Sequence, residues 1–134
     1  MYNCIYSGAF RHGCFKAILD RSYPVQRYCF ALDLRPDPVL IADYIRLHED
    51  VWPEIKKSIR DAGVLDMQIY FLGNRLFMIM DTLDDFTLEK KAAMDAANPR
   101  VIEWETLMGN FQQVEAAGDP TRRWQLMDKI FQLA

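Results

Sequence analysis

Tyr44 and His48 are the side chains whose type and spacing are best suited to chemistry in this sequence. Four residues apart, they stack on one face of a helix that carries them. Histidine titrates near neutrality, so it can take and return a proton within one cycle. A positioned acid or base of this kind is worth roughly 10²–10⁴-fold in rate. The Trp52-Pro53 pair just downstream limits that helix. Pro53 has no N–H and would clash with the Glu49 carbonyl, and Trp52, as the residue before proline, is pushed out of helical geometry. The helix is therefore expected to break past His48 and restart with Pro53 as its first residue. Such a break leaves backbone polar groups beside the imidazole, a polar niche in an apolar face.

Each of these residues also has a plainer use. A lone histidine on an apolar helix face is more often a hydrogen-bonded core residue. Tyr44, Trp52 and Trp104 suit a core as aromatics with a polar handle. Glu49, Asp50 and Glu54 read as a solvated face and as carboxylates favoured at the restarted helix, and Met78 and Met80 as core filler. Residue types and spacing alone reach no further than a small-ligand site.

The elements that must position this pair follow from periodicity. From Arg27 onward, Tyr28, Phe30, Leu32 and Leu34 alternate with Cys29, Ala31 and Asp33, the period of a strand. Arg35-Pro36-Asp37-Pro38 ends it and opens a helix, because proline fits a first turn. Ile41, Tyr44, Ile45 and His48 keep helical spacing, and Ile55, Ile59 and Ala62 resume it up to a C-capping Gly63. A second strand runs near Leu65 to Leu72, and Gly73-Asn74 turns it into a third carrying Leu76, Met78 and Met80. Asp84-Asp85 is the expected cap of a further helix, broken at Asn98-Pro99 and resumed through Val101, Ile102, Trp104, Glu105 and Met108. Asp119-Pro120 is a breaker, and Trp124 to Leu133 reads as a last strand. The order β-α-β-β-α-β predicts an α+β, ferredoxin-like domain with helices on one sheet face. Tyr, Phe, Met and Leu occur on both faces of the strands, so the other face needs a cover. A second copy of the chain, paired sheet to sheet as a homodimer, is expected there.

The chain has 134 residues, 51% hydrophobic and 26% charged, with a formal net charge of −3. That suits one domain with a single core and gives no electrostatic footprint for nucleic acid or an anionic membrane. Cys4, Cys14 and Cys29 are odd in number and widely spaced, which argues for reduced thiols in a cytoplasmic protein. With only His12 and His48 as histidines, no metal site is expected, and no stretch approaches the roughly 20 apolar residues of a membrane span. Residues 1–26 show no sustained period, lack a signal peptide's order, and read as a loosely ordered extension to a domain at 27–134.

The run Tyr44-x3-His48-x3-Trp52-Pro53-Glu54 resembles the L-rhamnose mutarotase family. The likeness extends over about Arg27 to Leu133, through Ile69-Tyr70, Asn74-Arg75-Leu76-Phe77, Trp104 and Ile130-Phe131. It implies a dimeric α/β-barrel of ferredoxin-like subunits and cofactor-free exchange of the anomers of a 6-deoxy-L-sugar. By the same resemblance His48 is the proton donor, Tyr44 a substrate-contacting tyrosine, and Trp104 the first of two adjacent tryptophans at the sugar site. Two positions depart from the family pattern: Met67 replaces a further substrate-contacting tyrosine, and Glu105 the second tryptophan. Asp66 to Met80 looks closer to a branch of L-fucose mutarotases, which favours L-fucose over L-rhamnose. The chemistry is simple enough for such a site, since ring opening needs one group to protonate the ring oxygen while another removes the proton from the anomeric hydroxyl.

Two other functions fit parts of the sequence. A non-catalytic sugar-binding module would bind saturably without changing the exchange rate. A cofactor-independent monooxygenase is supported by fold analogy alone, and the polar Asp66, Gln68 and Glu105 weigh against it.

Overall fold

The computed structural model describes residues 25–113 and 123–133. Strand β1 (Val25–Asp33) leads into helices α1 (Pro38–Glu49) and α2 (Pro53–Asp61). The hairpin of β2 (Val64–Leu72) and β3 (Arg75–Leu83) follows, then helices α3 (Leu88–Ala96) and α4 (Pro99–Gly109), and finally β4 (Gln125–Leu126). All strand pairings are antiparallel, in the spatial order β2-β3-β1-β4. This is the expected ferredoxin-like plan, with each helical crossover split by a proline, Pro53 in the first and Pro99 in the second.

Period-two alternation decides which sheet face carries the helices. Phe30 and Leu32 of β1 lie opposite Met78 and Leu76 of β3, and all four are buried. Ile69 and Met67 of β2 extend the same face, opposite Met78 and Met80. Two clusters form between this face and the helices. One joins Leu32, Leu34 and Leu76 to Tyr44, Ile55, Val101, Trp104, Met108 and Phe111. The other joins Phe30, Met78 and Met80 to Ala62, Val64 and Phe86, and Ile59, Ile69 and Trp124 pack against both. The opposite face presents Tyr70, Leu72, Phe77 and Ile79, with Tyr70 and Leu72 exposed.

Side-chain caps fix the helix starts. Asp37 accepts from the Val39 and Leu40 N–H groups ahead of Pro38, and Asn98 accepts from Arg100 N–H ahead of Pro99. Gly63 (φ 99°) ends α2 and Gly73 (φ 66°) turns the hairpin, both in the left-handed half of the map where a Cβ is penalised.

Three expectations need correction. The cap of α3 is Thr87, whose hydroxyl accepts from Lys90 N–H at 3.2 Å, while Asp84 and Asp85 lie earlier, in the turn leaving β3. The first strand already begins at Val25, so Val25 and Gln26 pair with Leu83 and Thr82. The last strand covers only Gln125–Leu126 rather than Trp124 to Leu133. Its last bond to β1 is from Met127 N–H to the Cys29 carbonyl at 2.8 Å. Beyond that point no ladder partner is found among the described residues, and Ile130, Phe131 and Leu133 stand exposed. Residues 1–24 and Asp119-Pro120 lie outside the described residues.

Candidate active site at the α1 break

Helix α1 stops at Glu49 and α2 restarts at Pro53, so His48 sits in the final turn of α1 as the proline required. Its ring stacks on Tyr44, with centroids 4.2 Å apart and planes inclined by 29°. Nδ1 lies 2.8 Å from the Tyr44 carbonyl oxygen. A carbonyl only accepts, so Nδ1 carries the proton of the neutral ring and Nε2 is left with its lone pair. Burial pushes the imidazole below its ordinary 6.5, partly opposed by the carbonyl, which favours the charged form. At neutral pH, His48 is therefore an uncharged base whose Nδ1 is committed to the helix carbonyl.

Tyr44 is 3% exposed and meets Phe111 edge-on at 6.1 Å. Burial, followed by the nearby Glu105 charge, raises its hydroxyl well above the ordinary tyrosine range, and a hydrogen bond with Gln112 offsets part of this. The hydroxyl stays protonated at any working pH and can donate.

Helix α4 supplies the wall. Trp104 faces inward, 5.6 Å edge-on to the His48 ring, and Trp52 meets Trp104 at 5.1 Å. The Arg100 guanidinium covers Trp52, with Cζ 4.2 Å from its centroid, and pairs with Glu103 and Glu54. Phe111, Tyr44, His48, Trp104, Trp52 and Arg100 thus make one continuous chain of ring contacts. Glu105, the next residue along α4, lies about 100° around the helix. The residue keeps an exposed edge, yet crowding around its carboxyl raises that group's pKa, against the pull of Lys91 and Arg123 and with help from Asp95.

Of the five site residues expected from the sequence, Tyr44, His48 and Trp104 are in mutual contact through His48, and Glu105 acts on Tyr44 through its charge. Met67 stands apart from the ring chain, packed against the second cluster across β2 and β3 from Met80. Gln112 and Arg123 were not expected. Gln112 follows a helix end with no period to mark it, and Arg123 reaches the site only through the return of the chain toward β4.

A family model described as L-rhamnose mutarotase matches residues 27–133, which include every residue of the candidate site. The chain belongs to the L-rhamnose mutarotase family. Within and around this family it is 40% identical over 112 residues to an L-fucose mutarotase of Xanthomonas campestris pv. campestris, covering 82% of this chain and 90% of that protein. It is 31% identical over 98 residues to an L-rhamnose mutarotase of Phocaeicola vulgatus, covering 72% and 88%. The fold is shared with the crystal structure of an L-rhamnose mutarotase from Formosa agariphila, at a TM-score of 0.62 and 22% identity over 81% of this chain and 99% of that one. Among the described residues no group of three or more His, Cys, Asp and Glu side chains is placed to hold a metal ion. No helix among them is long and apolar enough to cross a membrane.

Proposed function

We propose that this protein interconverts the α and β anomers of a free 6-deoxy-L-sugar, L-fucose in preference to L-rhamnose, by acid/base ring opening at His48. The observation that carries this reading is the bond from Nδ1 to the Tyr44 carbonyl, which leaves Nε2 as the basic nitrogen beside a protonated tyrosine. Nε2 takes the proton of the anomeric hydroxyl, the C1–O5 bond breaks, and C1 becomes an aldehyde carbon. The Tyr44 hydroxyl donates a hydrogen bond to the sugar as charge shifts, and the imidazolium returns its proton to O5. Both oxygens sit on the same carbon, so one imidazole serves both. Rotation about C1–C2 and the reverse steps give the other anomer, with nothing consumed and no cofactor.

Trp104 offers the sugar's C–H face a ring, and Glu105 an acceptor for its hydroxyls. The preference for L-fucose is supported by the 40% identity to the Xanthomonas protein and by Met67, which brings no hydroxyl where the family resemblance implies one. Sites that pair hydroxyls discriminate strongly between sugars. The catalytic unit in this reading is a cytoplasmic homodimer of the 27–134 domain. Its support is the apolar outer sheet face and the exposed Ile130, Phe131 and Leu133, which a second sheet would cover; the free thiol of Cys29 suits a reducing compartment.

NMR exchange between anomeric signals, measured across L-fucose, L-rhamnose, D-galactose and D-glucose, tests the activity and the preference together. Acceleration of L-fucose exchange beyond the others is expected. Binding of both deoxy sugars without acceleration of either would make the protein a binding module instead. Light scattering that returned a monomer at micromolar concentration would remove the dimer.

A further inference from the structure

Arg100 and Trp104 stand four residues apart on one face of α4, and Trp52 packs against both. The Arg100 guanidinium lies over the face of the Trp52 ring, with Cζ 4.2 Å from its centroid. Trp104 meets the same ring edge-on at 5.1 Å and the His48 ring edge-on at 5.6 Å. The backbone of Trp52 is tied to α2, its carbonyl accepting from the Ile55 and Lys56 N–H groups at 3.0 and 3.2 Å, while its side chain makes no cap bond. Three contacts aim the guanidinium. Asn98 Oδ1 accepts from Arg100 N–H at 3.1 Å, Glu103 Oε2 accepts from Nη1 at 2.7 Å, and Glu54 Oε2 lies 3.7 Å from Nη2. The side chains of Arg100, Glu54 and Glu103 are 42%, 53% and 59% exposed, so the ion pairs by themselves add little to stability. What they fix is where the guanidinium sits on Trp52.

These contacts join the two proline breaks. Trp52 precedes Pro53 and Arg100 follows Pro99, so the stacked pair ties the first turn of α2 to the first turn of α4. We infer that Arg100 is a positioning residue for anomer exchange: by clamping Trp52 it holds Trp104 against His48, and so keeps the imidazole in the orientation that proton transfer needs. This rests on the proposed role of His48. The other restraints on that ring, the bond from Nδ1 to the Tyr44 carbonyl and the stack on Tyr44, both come from its own helix. The contact with Trp104 comes from α4, and Arg100 sets it from the same helix face. Reacting groups are sensitive to small displacements, about 1 Å costing about 10²-fold, so a slackened ring need not move far to be felt.

Arg100→Met separates positioning from structure, because it keeps an unbranched stem at an exposed position and removes only the cation. We expect kcat for deoxy-sugar anomer exchange to fall about 2–5-fold, the worth of one exposed cation–π contact, with KM unchanged and little change in Tm. Trp52→Leu removes the ring itself and should lower kcat at least as far. Adding Arg100→Met to Trp52→Leu should then cost nothing more, since the guanidinium acts through that ring. A purely structural Arg100 would lower Tm and leave the kcat of the folded protein alone. If His48→Asn exchanges anomers like the wild type, the proposed role of His48 falls and this inference goes with it. If His48→Asn is slow while Arg100→Met keeps wild-type kcat, or if the Arg100 and Trp52 losses multiply, the inference about Arg100 falls and the role of His48 stands. A rise in KM with kcat unchanged also overturns it, by making Arg100 a part of sugar binding. Should Trp52→Leu fail to fold, the kcat of Arg100→Met decides alone.

Discussion

Replacing His48 by Asn removes the titrating group and little else. The imidazole's hydrogen bond goes to the Tyr44 carbonyl at 2.8 Å, an oxygen that already closes a turn of α1, so its loss costs about 0.5–1.5 kcal/mol. The stack on Tyr44 at 4.2 Å and the edge contact with Trp104 at 5.6 Å add about 0.5–1.5 kcal/mol. A domain of this size should lose only several degrees in Tm and stay folded. The rate loss is far larger, about 10²–10⁴-fold, because the group that moves the proton is absent. Saturation transfer between the α and β anomeric protons of L-fucose measures the rate directly, after subtraction of the uncatalysed exchange. The pH profile adds an independent signature. Burial lowers His48 below 6.5, so the base form persists into mild acid and the wild-type rate should fall only below 6.5. The variant should lack that acid limb. A His48→Asn protein within about three-fold of wild type on both deoxy sugars, or one that keeps the limb, refutes the assignment.

Three further outcomes follow from the same contacts. Unfolded His48 binds protons below 6.5 where folded His48 does not, so its contribution to stability is complete above 6.5 and is lost as pH falls toward its lowered folded value; denaturant melts should show that slope in wild type and not in His48→Asn. Gly63→Ala places a Cβ at φ 99°, with ordinary contacts of 3.7 Å to Phe86, so backbone strain alone should cost about 1–3 kcal/mol in a thermal melt. Met67→Tyr returns a hydroxyl to β2 and should raise the L-rhamnose to L-fucose ratio of kcat/KM by about ten-fold, the worth of one hydrogen bond; an unchanged ratio would remove residue 67 from the basis of sugar choice.

The parts of the fold legible in the sequence are those governed by local rules. Pro53 and Pro99 split the crossovers because a proline cannot sit inside a helix, and Gly73 turns the hairpin because a positive φ favours glycine there. The misread parts depend on what lies across space. Trp124 to Leu133 has a strand's alternation, but alternation does not supply a partner, and pairing stops near Met127. Asp84-Asp85 and Thr87 are all competent caps, and the length of β3 decided which one met a helix. In the site, Tyr44 and His48 were visible through their i, i+4 spacing. Gln112 and Arg123 were not, because no period links them to one another or to Tyr44.

In the proposed mechanism this histidine does more than fill a core. Stacking on Tyr44 and contact with Trp104 are also what a structural histidine would show. What the structure adds is the commitment of one nitrogen: Nδ1 is tied to the carbonyl of its own helix, in the final turn before the break at Pro53. The burial that costs the imidazole its charge is therefore the condition that makes it a base at neutral pH. Tyr44 obeys the same logic in reverse, since burial and the Glu105 charge keep its proton in place. One local break in α1, with an aromatic wall from α4, thus sets a base and a donor side by side without a charged group between them.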